Sequence, residues 1–385
     1  MNAVYDHIIA ILVVGMIFVG AVVILPTMSL TNLQAVDQQQ LRNTALNVFN
    51  AMLLDTGEPV SWGSIRHFKM NDPRVKRFGL ASFQDSAFYV LDPDKVQRLV
   101  VGNPLNYCEY DRVRELLGLQ DYGFRLRIIP PFNVTFLSTS VTGDSLHYKV
   151  RVSYLDGIPI PNAQTYATVI STRGKEDFDI TQSGPVETNA MGICEGIVKL
   201  GISDPDYYMV TLRVTVADVA TLVVTSGQTF NNTIAIINIV YDTLVLTSTK
   251  DPPNYNEPPN PNVWILDIVA IGSDGSLWYL HEGTKADMFN TGQGSFELWD
   301  QTFYGLHDFE PVILIFNFWA VDEVTDHGRQ QVLIVMAYPD ILGTSIFDYG
   351  GSPKSSGGAT VKIQRSVVIS SMTYTAELWL WKESP

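Results

Sequence analysis

"DHIIAILVVGMIFVGAVVILP" (6–26) contains an eighteen-residue run, Ile8 to Leu25, without a single charge. A helix rises about 1.5 Å per residue, so the run reaches roughly 27 Å, close to the hydrocarbon thickness of a bilayer. A core helix of that length normally shows a polar stripe, and this one is apolar all round. A secretory signal has a basic start, a shorter apolar stretch and a small-x-small cleavage site. Here Asp6 and His7 precede the run without Lys or Arg, and Pro26-Thr27-Met28 follows it. The stretch reads as a retained single-pass anchor in the cell membrane, with membrane lipid as its first partner. A cleaved signal and a buried helix are the competing readings.

Charge does not orient the span, because the first basic residue is Arg42. Orientation is instead inferred from the remainder of the chain, which is rich in β-branched and aromatic runs and carries sequons at Asn133 and Asn231. Together these favour a short inside tail and an extracellular bulk. With 25 basic against 40 acidic residues the net charge is −15, and no Lys/Arg run exists, which argues against nucleic acid. Hydrophobic residues at 46% and charged residues at 17% suit a well-packed β-protein. The two cysteines, Cys108 and Cys194, read equally as one bridge between domains or as two separate buried thiols.

Beyond the run, Leu30, Leu33, Leu41, Ala45, Val48, Met52 and Leu53 fall at helical spacing, so residues 1–56 are expected to form the span and an amphipathic stalk, ended by Gly57 and Pro59. Residues 57–130 read as a small α/β element. "LDPDKVQRLV" predicts a helix with Asp92 as N-cap and Pro93 in its first turn, and "EYDRVRELLGL" a second helix stopped at Gly118. "YGFRLRII" alternates as a strand with one wet face. Residues 131–229 carry short alternating strands with turn signals, which predicts a β-sandwich. Residues 230–385 read as a distal β-sandwich: one strand over "IAIINIVYDTLVL", a hairpin through Ser273-Asp274-Gly275, and apolar strands "VILIFNFWAVDEV" and "QQVLIVMAY" that must be covered or central. The fold class is thus mainly β with an N-terminal membrane-spanning helix, β-sandwich ectodomains and a small α/β element.

Two ends of the chain carry a resemblance. The apolar helix, "NVFNAMLLDTGEPVSWGS", "RFGLA", "VLDPDKVQRL" and the closing "RSVVISSMTYTAELWLW" resemble archaeal type IV pilin-like surface proteins, most specifically in the Leu53–Trp62 segment. That resemblance implies display outside the cell on the N-terminal helix, with Asp6 as the acidic residue that neutralises a neighbouring subunit's terminal amine. The chain departs from the pattern in having no basic-plus-small processing site before the apolar run. In the middle, "VSYLDGIPIPNAQTYATV" and "VETNAMGICEGIVKL" resemble bacterial Ig-like and carboxypeptidase-regulatory-like domains, which serve as spacers. Gly157 and Gly192 are expected at positive-φ corners.

No catalytic constellation emerges. There is no Gly-x-Ser-x-Gly elbow, Walker loop or Gly-x-Gly-x-x-Gly, and "HEGTK" lacks the second His of a zinc protease. No cofactor is implied. Asp322, Glu323, Asp326 and His327 in "VDEVTDH" form the best candidate metal loop, for Ca²⁺, against the plainer reading of a solvated hairpin loop; "HDFEP" (307–311) is weaker. Trp379 and Trp381 share one strand face opposite Leu378 and Leu380, and a core position is favoured over a sugar-stacking platform. Trp278 with Tyr279 and Trp299 with Tyr304 are better candidates for a contact surface.

The sequence therefore predicts a non-enzymatic, membrane-anchored structural or adhesive protein, self-associating through its N-terminal helix or joining other envelope proteins. An accessory subunit of a membrane complex, touching neighbouring helices at Gly15 and Gly20, is one alternative. A carbohydrate-active enzyme is the other.

Overall fold

A computed structural model describes residues 13–19, 37–65, 68–83, 87–101, 106–173, 177–225, 235–240, 242–248, 263–289, 299–309, 311–321, 329–338, 346–353 and 359–383. It is mainly β and contains several separate sheets. Residues 13–19 are helical, and a second helix, α1, covers 37–54. The buried residues of α1 are Leu41, Ala45, Val48, Phe49, Met52 and Leu53, one stripe at the helical period. After it come β1 (Val90–Leu91), α2 (Pro93–Gln97), α3 (Tyr110–Leu116) and β2 (Tyr122–Ile129). Asp92 caps α2 as expected, its carboxylate accepting from the amides of Asp94 and Lys95.

The chain then makes a long excursion. Strands β3 (Asn133–Thr142), β4 (Ser145–Ser153), β5 (Gln164–Arg173), β6 (Asp177–Gln182), β7 (Val186–Glu187), β8 (Ile193–Lys199), β9 (Tyr207–Val216) and β10 (Val219–Thr225) form two antiparallel sheets, in orders β3-β4-β8 and β10-β9-β5-β6, with β7 on β5. Val150, Val152 and Leu146 from one sheet and Val169, Val210 and Leu212 from the other share an apolar core, so this unit is a sandwich. Gly157 and Gly192 take φ of +87° and +69°, as their turns require.

The next strands are β11 (Ala235–Val240), β12 (Thr243–Ser248), β13 (Val263–Gly272), β14 (Leu277–Phe289), β15 (Trp299–Thr302), β16 (Pro311–Val321) and β17 (Arg329–Ala337), with the short helix α4 (Leu306–Phe309) before β16. They form two sheets, β11-β12-β15 and β14-β13-β16-β17. "IAIINIVYDTLVL" is thus not one strand: the chain reverses between Val240 and Thr243, which pair directly. The apolar β16 is central, whereas β17 lies at its sheet's edge.

Finally β18 (Phe347–Gly350), β19 (Thr360–Ile369) and β20 (Met372–Lys382) return to the first unit in the order β1-β19-β20-β2-β18. β20 pairs antiparallel with β2 from Tyr122↔Lys382 to Ile129↔Thr375, and β1 runs parallel to β19. Phe124, Leu126, Tyr374, Ala376, Leu378 and Leu380 share one core with the α1 stripe. The boundaries drawn from sequence at 57–130 and 230–385 therefore do not separate independent bodies, since the last strands complete the sheet of the first. Nor does 37–54 stand clear as a stalk, because its apolar stripe is buried in that core.

Candidate functional site: the apolar lead and its clasp

The helical residues 13–19 bury nothing. Val13, Val14, Met16, Ile17, Phe18 and Val19 are between 49% and 71% exposed, and Gly15 has no atom within 4 Å of where its Cβ would stand. The reading of this segment as a helix buried in the protein's own core fails for these residues. Among the described residues no helix is long and apolar enough to cross a membrane. Most of the Ile8–Leu25 run, with Asp6 and Gly20, lies outside the described residues.

Downstream, three of the segments that carried the pilin-like resemblance, "NVFNAMLLDTGEPVSWGS", "RFGLA" and "VLDPDKVQRL", converge on the C-terminal end of α1. The amides of Leu80 and Ala81 donate to the carbonyls of Met52 (2.8 Å) and Asp55 (3.1 Å), satisfying acceptors that the helix end leaves open. Gly79 allows this approach: a Cβ there would sit 2.1 Å from the Asp55 carbonyl oxygen. Trp62 is wholly buried against Phe78 and Phe68 and donates its indole N–H to the Gly79 carbonyl at 2.8 Å. Asp55 accepts from the Gly57 amide (2.8 Å) and pairs with Arg77 (2.9 Å). "LLDTGEPVSW" and "RFGLA" are thus two halves of a clasp around the end of α1.

Under the clasp lies a buried ionic cluster. Lys95 is fully buried, its Nζ donating to the Ala81 carbonyl at 2.7 Å and lying 3.5 Å from the Asp92 carboxylate. Arg98 is 1% exposed; it donates to the Gly63, Asn106 and Ile65 carbonyls and lies over the Phe68 ring. Asp94, also buried, accepts from Ser64, Gln97 and the hydroxyl of Tyr338, which follows β17. Burial pushes the Asp92 carboxyl up to about 6, with the Asp94 charge adding and Lys95 opposing. Burial likewise lowers Lys95 and raises Tyr338. Broken singly, such contacts leave uncompensated buried charge, which is strongly destabilising. The Asp92 cap was legible in sequence. The burial of Lys95, Asp94 and Arg98 was not, since charges in a short helix ordinarily face water, and nothing in the sequence points to Tyr338.

Among the described residues, the remaining sequence candidates do not assemble into a second site. The bridge between Cys108 and Cys194 is not formed: both thiols are free and buried, one in the α1 core, the other in the middle sandwich beside Thr165. Separate cores keep them apart. Asn133 opens β3 half-buried, opposite Ser153; Asn231 lies outside the described residues, as do Asp322, Glu323, Asp326 and His327. Among the described residues no group of three or more His, Cys, Asp or Glu could hold a metal. His307 of "HDFEP" is held between Asp242 (2.6 Å) and Asp308 (2.9 Å). Trp381 is buried over Gly123, whereas Trp379 is half-buried, with Lys362 over its ring. Tyr304 is 88% exposed and Tyr279 46%, and Trp278 meets Phe309 edge-on. Compared with protein-family models and with curated proteins, the chain matches none.

Proposed function

We propose that this chain is a single-span envelope protein that holds a β-rich body outside the cell as a structural or adhesive subunit, in a pilin-like filament or a discrete surface assembly. The carrying observation is the exposed apolar helix 13–19. Leaving six such side chains in water forfeits on the order of 10 kcal/mol, at about 1.5–3 kcal/mol each, so the segment calls for lipid or a neighbouring apolar helix. The same segment in a second copy supplies such a helix, which is the route to self-association.

The clasp supports this reading. α1 follows the apolar run in sequence, and its far end is fixed by backbone bonds, an indole and a buried ionic cluster. Force that reaches α1 is then borne by the core. The middle sandwich is the spacer that the Ig-like resemblance implies.

Protease treatment of intact cells, mass spectrometry of the protected N-terminus and electron microscopy of sheared surface material test the reading together. Residues 122–382 should be released as peptides while 1–36 stay with the membrane, and fibres containing the chain should be visible if it polymerises. A full chain that is monomeric in plain buffer, with residues 8–25 protected inside its own fold, overturns the proposal.

A further inference from the structure

The outer face of the β10-β9-β5-β6 sheet meets the turn between β13 and β14, and between them lies a cleft of about 340 Å³. That volume sits at the small end of ligand sites, enough for one or two sugar-sized rings. Its floor is apolar, from Leu222 and Ile271, both almost fully buried. Its walls are polar and already anchored. Gln182 spends both amide protons, on Thr168 Oγ1 (3.2 Å) and the Gly275 carbonyl (2.8 Å), so its Oε1 remains as an acceptor. Arg213 donates Nε–H to the Ser273 carbonyl at 2.7 Å, and its guanidinium lies over the Tyr166 ring. Its two Nη groups make no hydrogen bond to any described residue. Asp274 receives the Ser276 amide and hydroxyl on Oδ1, and no other described residue donates to its Oδ2.

The cleft thus offers a fixed donor fork, a free carboxylate oxygen, an amide acceptor and an apolar floor. One positive and one negative group make its lining neutral. A pyranose ring has the matching profile: apolar C–H faces, a rim of vicinal hydroxyls that both donate and accept, and no charge. We propose that this cleft binds an uncharged sugar residue of a glycan, with ring C–H groups on Leu222 and Ile271 and hydroxyls bridging Arg213 and Asp274. Glycoside cleavage needs a pair of carboxylates. Asp274 is the one carboxylate among the described residues of the lining, so the proposal is for binding and includes no cleavage step. The inference goes beyond the envelope reading and does not depend on it.

The test uses the full chain in a zwitterionic, sugar-free detergent. Glucose, galactose, mannose, N-acetylglucosamine, lactose and cellobiose are titrated by calorimetry and by saturation-transfer NMR. At least one should saturate with a Kd on the order of 1 mM, as suits a single small site. Asp274→Asn, which removes the carboxylate charge, and Arg213→Lys, which keeps the charge but removes the planar donor fork, should each weaken it by about tenfold. Ser183→Trp, which adds bulk at a lining position, should abolish binding, with circular dichroism checking that the fold is retained. The proposal is overturned by three results: no sugar saturates at millimolar concentration, binding survives both Ser183→Trp and Asp274→Asn, or a zwitterion such as free serine takes the cleft in place of every sugar. All three leave membrane anchoring untouched.

Discussion

Residues 13–19 and residues 37–54 are both helical and both supplied with large apolar side chains, yet the first keeps all of them exposed and the second buries six. The difference lies in spacing. In α1 the apolar positions recur every three to four residues, leaving Gln, Asn and Arg on the other faces, so one stripe can dock on a sheet. The 13–19 stretch has no polar face, and its side chains stay exposed among the described residues. A stripe selects a protein core; an apolar cylinder selects lipid or other cylinders.

That contrast can be broken by substitution. Phe49→Ala should have the largest effect, a loss of about 3–5 kcal/mol in denaturant unfolding, because it opens a cavity in the α1 core. Ile17→Lys should leave that unfolding unchanged but shift the chain out of the membrane fraction, since a charge at mid-span costs about 2.5–3.5 kcal/mol on insertion. Should Ile17→Lys destabilise the body as Phe49→Ala does, the two helices are not different in kind.

The clasp gives smaller effects. Tyr338→Phe removes a donor to buried Asp94 and should cost about 1–3 kcal/mol by unfolding; no change would mean that the segment after β17 does not hold the clasp. The pH dependence has two arms. Asp92 titrates near 6 when folded, above an ordinary carboxyl, so the folded state binds its proton more tightly. Its contribution is full below about 4 and declines as pH rises through about 6, by at most about 1.4 kcal/mol per pH unit. Asp242, despite burial, is held low by the His307 amide and side chain, and Arg74 holds Asp72 well below the usual carboxyl range. Their contributions run the other way, present above about 4 and lost as pH falls. Asp92→Asn should therefore flatten the decline between about pH 4 and 6 and leave the acid arm intact; chemical denaturation across pH reads both. The smallest expected effect is that of reductant. With both thiols free and the Cys108 thiol pushed up to about 12 by burial, reductant should not move the thermal midpoint, and alkylation should await unfolding.

Much of the local architecture is legible in particular residues. Asp92-Pro93 announces the start of α2, and Gly118, at φ +68°, its successor's end. Alternation marks β2, β4 and β9, while Gly157 marks the turn after β4 and Gly192 the turn before β8. The cleft is not legible: Tyr166, Gln182, Arg213 and Asp274 come from four separate elements, with no shared motif or spacing. The same holds for Tyr338 and Asp94, 244 residues apart in sequence.

The sequence by itself determined the length and oiliness of the N-terminal run, the β-rich character of the body and the places where helices begin and turns reverse. These depend on side-chain period, on caps and on backbone freedom, all local quantities. Only the tertiary structure decided that β20 joins β2, that 37–54 is core and not stalk, and that a lysine and an arginine lie buried beneath a clasp. A strand's edge bonds accept any strand of suitable length and face, so its partner is chosen by which apolar surfaces meet when the whole chain has folded.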